Sequence, residues 1–218
     1  KGVFRDEELR MYLGIILASI ALIVWNLHDY YGSLEETVRH AAFQVGSIIT
    51  TTGYSTTDFD LWPSFSKTIL LILMITGSCA GSTAGGLKLS RVIILVKSTL
   101  REIRHVLRPR SVNVVRVDGE AVPDETVRSA TGYLALYLLI TVITVLLISV
   151  DGFDTETNIS AVLACINNVG PGFGAVGPTV NYSGFSLFSQ FILTINMLLG
   201  RLEIMPMFIL LTPLLRKK

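Results

Sequence analysis

Thr50-Thr51-Thr52-Gly53-Tyr54-Ser55 and Asn167-Asn168-Val169-Gly170-Pro171-Gly172 are the two stretches on which the reading of this chain turns. Each follows an apolar segment too short to cross a bilayer, and each precedes one that is long enough. Upstream of the first string, Leu34 to Ile49 reads as an amphipathic helix with Glu35, Glu36, Arg39 and His40 near its start. At ~1.5 Å per residue its apolar part is about 15 Å long, half of a ~30 Å hydrocarbon core. The helix is therefore expected to dip in and stop. Ser33 is its expected N-cap, and Glu36, three residues on, completes a capping box. Asp58, Asp60 and Trp62 mark the return to water. Thr155 to Val169 reads as a second short helix, with Thr155 or Thr157 as its cap. A dead-ended helix followed by such a string presents bare backbone carbonyls, which can replace an ion's water shell.

Longer apolar runs surround these strings. Tyr12 to Leu27 and Ala130 to Val150 are spanning candidates, with Tyr12 and Trp25 as interface anchors. Phe185 to Leu215 reads as a last span that ends in Arg216-Lys217-Lys218. Ser64 to about Val106 is helical but interrupted by Gly77-Ser78-Cys79-Ala80-Gly81-Ser82-Thr83-Ala84-Gly85-Gly86. Glycine costs a helix roughly 1 kcal/mol relative to alanine, so four of them predict a break at membrane depth. Irregular backbone there is tolerated only where protein or a water-filled cavity satisfies it. Gly77, Gly81 and Gly85 also fit a repeated GxxxG packing face, and a loop or gate is weighed against that. A phosphate-binding loop is rejected, because Leu87 separates Gly86 from Lys88.

Half of the 218 residues are apolar and 16% are charged, against about 25% charged in soluble domains. This composition points to a polytopic, all-α membrane protein with re-entrant half-helices. The plan of residues 1–110 recurs in 129–218, and the polar segment 111–128 between them carries the turn signal Asp118-Gly119. Gly53 aligns with Gly170, 117 positions on, and Gly77 with Gly200, 123 on. The opening residue is Lys1, and the chain reads as a piece of something longer.

Charge sets the expected orientation. Lys97, Arg101, Arg104, Arg108, Arg110 and Arg116 lie between the halves, opposed in that stretch by Glu102. Asp29, Glu35, Glu36, Asp58, Asp60, Asp151, Asp154 and Glu156 fall on the other side. The positive-inside rule makes the linker and both termini cytoplasmic, and the short helices then enter from outside through an acidic vestibule. The net charge of +1 gives no argument for nucleic acid. Cys79 and Cys165 read as buried thiols, and no nucleophile elbow or His/carboxylate cluster suggests an enzyme. Arg201 and Glu203 sit deep in the last span, as a structural ion pair or with Arg201 as a cation facing the pore. Lys88 and Arg91 are expected to snorkel to the surface. Asn158 and Asn181 head glycosylation sequons that carry little weight.

Thr51-Thr52-Gly53-Tyr54 resembles the Thr-Val-Gly-Tyr string of potassium-channel filters. With the glycine-rich stretch Gly77 to Lys88, Asn167 to Gly172 and Gly200-Arg201-Leu202-Glu203, it makes the whole chain resemble TrkH. TrkH is the membrane-subunit family of the bacterial Trk potassium uptake system, within the Trk/Ktr/HKT superfamily. The resemblance implies four helix–pore loop–helix repeats around one pore, of which this chain would supply the third and fourth. Thr51, Thr52, Gly53, Tyr54, Asn168, Val169, Gly170 and Pro171 would line two filter walls. Potassium would sit at Thr52, Gly53, Val169 and Gly170. Gly77, Gly81, Gly85 and Gly86 would form the intramembrane gate, with Arg201 at the constriction. The resemblance also implies an inner-membrane location, a homodimer, an N-terminal half and a cytosolic nucleotide-binding regulatory subunit. No covalent cofactor is expected, only the potassium ion and membrane lipid. An ion-coupled K+ or Na+ secondary transporter and a non-conducting membrane scaffold subunit are the alternatives.

Overall fold

The computed structural model describes residues 6–77, 79, 81–82, 85–108 and 114–202. It contains seven α-helices and one small hairpin among these residues. Helix α1, Glu7–Asn26, is capped by Asp6, whose carboxylate accepts from Leu9 N at 3.0 Å. It is 20 residues long, enough to cross a hydrocarbon core. Helix α2, Leu34–Ile49, starts at Ser33, whose hydroxyl accepts from Glu36 N at 3.2 Å. The predicted capping box is only half realised, since Glu36 lies 3.8 Å from His40 Nε2, one turn along.

Helix α3, Ser64–Ile75, stops where the glycines begin, and α4 resumes at Leu89–Leu107. Among the described residues of the interruption, Gly77, Gly81, Gly85 and Gly86 lie outside any helix, so they do not form a continuous GxxxG face. The ends of the interruption close on each other: Gly77 N donates to Leu87 O at 2.9 Å, beside a parallel bridge between Thr76 and Leu87. A two-stranded hairpin, β1 Arg116–Val117 with β2 Glu120–Ala121, turns at Asp118-Gly119. Helix α5, Asp124–Ile148, begins within the expected linker, directly after Pro123, and Asp124 and Glu125 suit a helix N-terminus.

Helix α6, Thr155–Ile166, is capped by Asp154 rather than by Thr155 or Thr157; the Asp154 carboxylate accepts from Thr157 N at 3.2 Å. Helix α7, Leu187–Arg201, is shorter than the predicted last span, whose remainder lies outside the described residues together with Glu203 and the basic C-terminus. By length and composition, α1 and the stretch from Asp124 to Asp151 are long and apolar enough to cross a membrane.

Three apolar clusters hold these helices. In the first, Ile23, Val45, Ile48, Phe59, Leu70 and Met74 close around α1, α2 and α3, and Val169 and Phe173 from the second half insert among them. The second packs α5, α6 and α7 through Ile148, Val162, Phe185 and Leu193. The third joins Leu87 at the neck of the glycine loop to Tyr133, Tyr137 and Ile166. Arg91, expected to snorkel, lies over the Tyr133 ring at 4.1 Å instead. Asn158 is buried, so its sequon is inaccessible.

Candidate ion-conduction site

The two half-helices end on the same three backbone bonds. In α2, Thr50 N donates to Gly46 O (3.2 Å), Thr51 N to Ile48 O (3.0 Å) and Thr52 N to Ser47 O (2.8 Å). In α6, Asn167 N donates to Leu163 O (3.1 Å), Asn168 N to Cys165 O (3.1 Å) and Val169 N to Ala164 O (2.9 Å). Every donor and acceptor is displaced by 117 positions, the offset between Gly53 and Gly170. The pattern is a Schellman close: a residue in the left-handed region ends the helix, and the next N–H reaches back five residues. Thr51 (φ 55°) and Asn168 (φ 56°) occupy that position, and Gly53 (φ 77°) and Gly170 (φ 109°) are left-handed two residues later. This alternation carries the chain out of each helix into its string.

Neighbouring groups fix both strings. Ser47 Oγ donates to Tyr54 O at 2.5 Å, and the Thr50 and Thr52 hydroxyls lie 2.8 Å apart. Tyr182 Oη donates to Gly170 O at 2.7 Å, so one lone pair of that carbonyl is already engaged. The strings also meet. The Val169 carbonyl oxygen lies against Gly53 so closely that a Cβ there would overlap it, and the Pro171 ring would be 3.1 Å away. Thr52 and Tyr54 are exposed, Gly53 and Pro171 half-buried, and Val169 buried.

The predicted gate glycines divide into two kinds. Gly81 has open space where its Cβ would be, whereas Gly77, Gly85 and Gly86 are at close approaches. A Cβ on Gly77 would lie 2.8 Å from Gly85 O, and one on Gly85 would lie 2.7 Å from Asn167 O. Gly86 (φ 83°) faces the Asn167 side-chain oxygen. Gly200, just before Arg201, lies against Ile166 O, so the end of α7 runs beside the end of α6. Arg201 itself is exposed at the last turn of α7.

The acidic end is more structured than a plain vestibule. Asp58 caps a short 3-10 turn and accepts from Thr179 Oγ1 at 3.4 Å. Asp60 accepts from Gly174 N at 3.1 Å and pairs with Lys67 at 3.4 Å; Lys67 pairs in turn with Glu156. Asp154 Oδ1 accepts from the Thr157 hydroxyl, whose oxygen accepts from Ala175 N at 3.1 Å. The Thr157 hydroxyl bond is the main reason the Asp154 carboxyl is held below its ordinary pKa. A cavity of about 250 Å3 opens beside Lys67, Glu156 and Phe173, and none of its lining residues belongs to either string. At the opposite end, Glu7 pairs with Lys97 and Asp124 with Arg101, so two of the predicted linker cations are neutralised within the fold.

Sequence reasoning missed Ser47, Lys67, Tyr137 and Tyr182. The available signal for Tyr137 was a phenol inside an apolar span, since a hydroxyl at that depth needs a partner. Lys67 stood out less, being a single cation near the start of an apolar helix.

Half-length helices that stop at paired left-handed turns and bring their strings together belong to a polytopic membrane transport protein. The family model of TrkH, described as a cation transport protein, matches residues 13–216, and the chain belongs to that family. The Trk system potassium uptake protein TrkH of Escherichia coli K12 is 35% identical over 216 residues, 98% of this chain and 44% of that protein. TrkG of the same organism is 37% identical over 215 residues, 96% of this chain and 43% of that protein. The crystal structure of the potassium transporter TrkH from Vibrio parahaemolyticus superposes with a TM-score of 0.86 at 36% identity, covering 96% of this chain and 45% of that one. The chain therefore spans about half the length of the curated relatives it matches. At the family level these are potassium transport proteins, not enzymes.

Proposed function

We propose that this chain forms two of the four walls of a potassium-selective pore. In this reading, units 1–110 and 129–218 are the third and fourth repeats, and an N-terminal half of the same pore supplies the others. Carbonyls of Thr52, Gly53, Val169 and Gly170 take the place of part of the K+ hydration shell. The observation that carries the reading is the paired Schellman ending of α2 and α6, with Gly53 against Val169 O. The strings lie 117 positions apart in sequence, yet they follow helices that end on the same three backbone bonds and touch each other through Gly53 and Val169 O.

The segment from Gly77 to Gly86 acts as the gate beneath the filter, with Arg201 at the constriction. Support comes from the closed neck of the loop and from Gly200, which sets α7 beside α6. The protein works in the bacterial inner membrane with its termini cytoplasmic, as a homodimer joined to a cytosolic nucleotide-binding subunit. The pairing of acidic groups at one end with the filter exits supports this orientation.

The test is replacement of Gly53 or Gly170 by valine in the complete pore. Both positions are left-handed, and Gly53 has no room for a Cβ. Potassium uptake in a K+-uptake-deficient strain is expected to be lost, or K+/Na+ discrimination to collapse, while membrane-inserted protein persists. Unchanged, selective flux in both variants would sink the filter reading. Saturable uptake that requires a second ion, without unitary conductance, would instead favour the ion-coupled transporter.

A further inference from the structure

The neck of the glycine loop rests on the residue that ends the second half-helix. Asn167 is the C-cap of α6, fully buried, and its backbone N–H makes the first bond of the Schellman close that sets Asn168 to Gly170. Its side-chain Nδ2 donates to Leu163 O at 2.8 Å and lies 2.9 Å from the Tyr137 hydroxyl, which is 3.2 Å from Oδ1. Tyr137, on α5, is 1% exposed. The amide is thus held from behind by α5 and from below by its own helix.

The other side of Asn167 is covered by the loop neck. Gly85 approaches Asn167 O, Gly86 approaches Asn167 Oδ1, and a Cβ on Gly85 would also stand 2.9 Å from Asn168 Nδ2. Asn168 Nδ2 donates to Met197 O at 3.2 Å on α7. Leu87, the last residue of the neck, packs in one cluster with Tyr137 and Ile166. Loop neck, α5, α7 and filter string therefore meet around Asn167 and Asn168, with the glycine backbone of the neck directly against the Asn167 carbonyl and side-chain amide. Interfaces packed this closely move between discrete arrangements rather than deforming smoothly.

From this juxtaposition we infer that Asn167, held by Tyr137, couples the position of the loop neck at Gly85, Gly86 and Leu87 to the geometry of the Asn168–Gly170 filter string. Tyr137 is a positioning residue: it touches no ion but fixes the amide against which the loop neck seats. A loop that leaves its seat frees one face of Asn167, and the left-handed turn at Asn168 is no longer held in one register. Opening the gate and adjusting the filter are then one event. This rests on the pore reading above and adds to it a specific route between gate and filter.

The experiment uses the complete protein reconstituted in liposomes, with rubidium-tracer uptake and sodium competition read on the same samples. Tyr137→Phe keeps the ring and removes the hydroxyl. It is expected to lower K+/Na+ discrimination by at least about fivefold, the lower end of ordinary coupling between sites. Gly86→Ala, which drives a methyl group into the Asn167 amide, is expected to change discrimination too. Its effect in the Tyr137→Phe background should be smaller than alone, as for residues acting through one contact. A Tyr137→Phe protein with parental discrimination, whether or not its thermal midpoint falls, would overturn the coupling and leave the hydroxyl a packing group. Additive effects of the two substitutions would overturn it as well. Gly170→Val in the same assay separates the two readings. If it loses discrimination while Tyr137→Phe does not, only the coupling fails; if it too is unchanged, the pore reading falls and the coupling with it.

Discussion

Among the described residues, Thr51 carries the most unusual backbone, a β-branched residue in the left-handed region. A β-branched residue at φ 55° crowds its own Cβ, at a cost of roughly 1–2 kcal/mol. The second half places asparagine at the matching position, Asn168, at φ 56°, where a short polar side chain tolerates the left-handed region better. The chain thus contains its own remedy. Thr51→Asn is expected to raise the thermal stability of the detergent-solubilised protein, by about 1 kcal/mol. A melt showing no gain would mean that the Thr51 side chain compensates for its backbone. The glycines differ in the same way: Gly53 and Gly200 are required by close approach, while Gly81 faces open space.

Helix ends decide more than helix middles. The apolar composition made α1 and α5 readable as spans, and the half-length of α2 was legible because its charges stop well before Thr50. The cap of α6 was misread. Thr155 and Thr157 both suit a cap, but the helix starts one residue after Asp154, whose carboxylate is nearer the unpaired N–H groups. Asp154 also reaches Ala175 through Thr157, so this cap braces the loop that follows the second string. Asp154→Ala should therefore cost about 1 kcal/mol, and Asp154→Asn less, because the amide oxygen still accepts. The carboxyl is held below its ordinary value of 3.8, so its contribution is fully present above that pH and is lost as pH falls through the depressed value. Stability of the parent relative to Asp154→Ala should be constant from neutrality to about pH 5 and shrink only under stronger acid. A difference that faded near neutrality would rule out this carboxylate as the source.

Across the whole molecule, the two halves are joined at three levels. At the acidic end, Lys67 of α3 binds Asp60 before it and Glu156 of α6, while Asp60 also holds Gly174 N. In the middle, Val169 and Phe173 fill the core of the first half, and Val169 O meets Gly53. At the other end, the loop neck seats on Asn167. Lys67→Met should leave two carboxylates facing each other across the join. With Lys67 about 19% exposed, the loss is expected to be about 1 kcal/mol, since residual solvent screens the pair. Lys67→Met combined with Glu156→Gln should recover part of the stability, measured by thermal melts and by K+/Na+ discrimination. If the double variant were no better than the single one, the ammonium would be acting through packing on Phe173 rather than through charge.

The fold class, the two strings and the break after Ile75 were legible in the order of residues, because each depends on local composition. Helix length follows from apolar run length, and Gly53 and Gly170 mark left-handed backbone, although Thr51 and Asn168, which end the two half-helices, reach that region without glycine. Which groups face one another was not legible. Asn167 with Tyr137, Asp60 with Gly174 and Gly53 with Val169 O are separated by 30, 114 and 116 positions, and nothing in their local sequence names the partner. Those pairings exist only because α2, α3, α5 and α6, with the turns at their ends, pack together, which brings groups far apart in sequence into contact in the interior. Composition set where each helix would end; packing set what that end would touch.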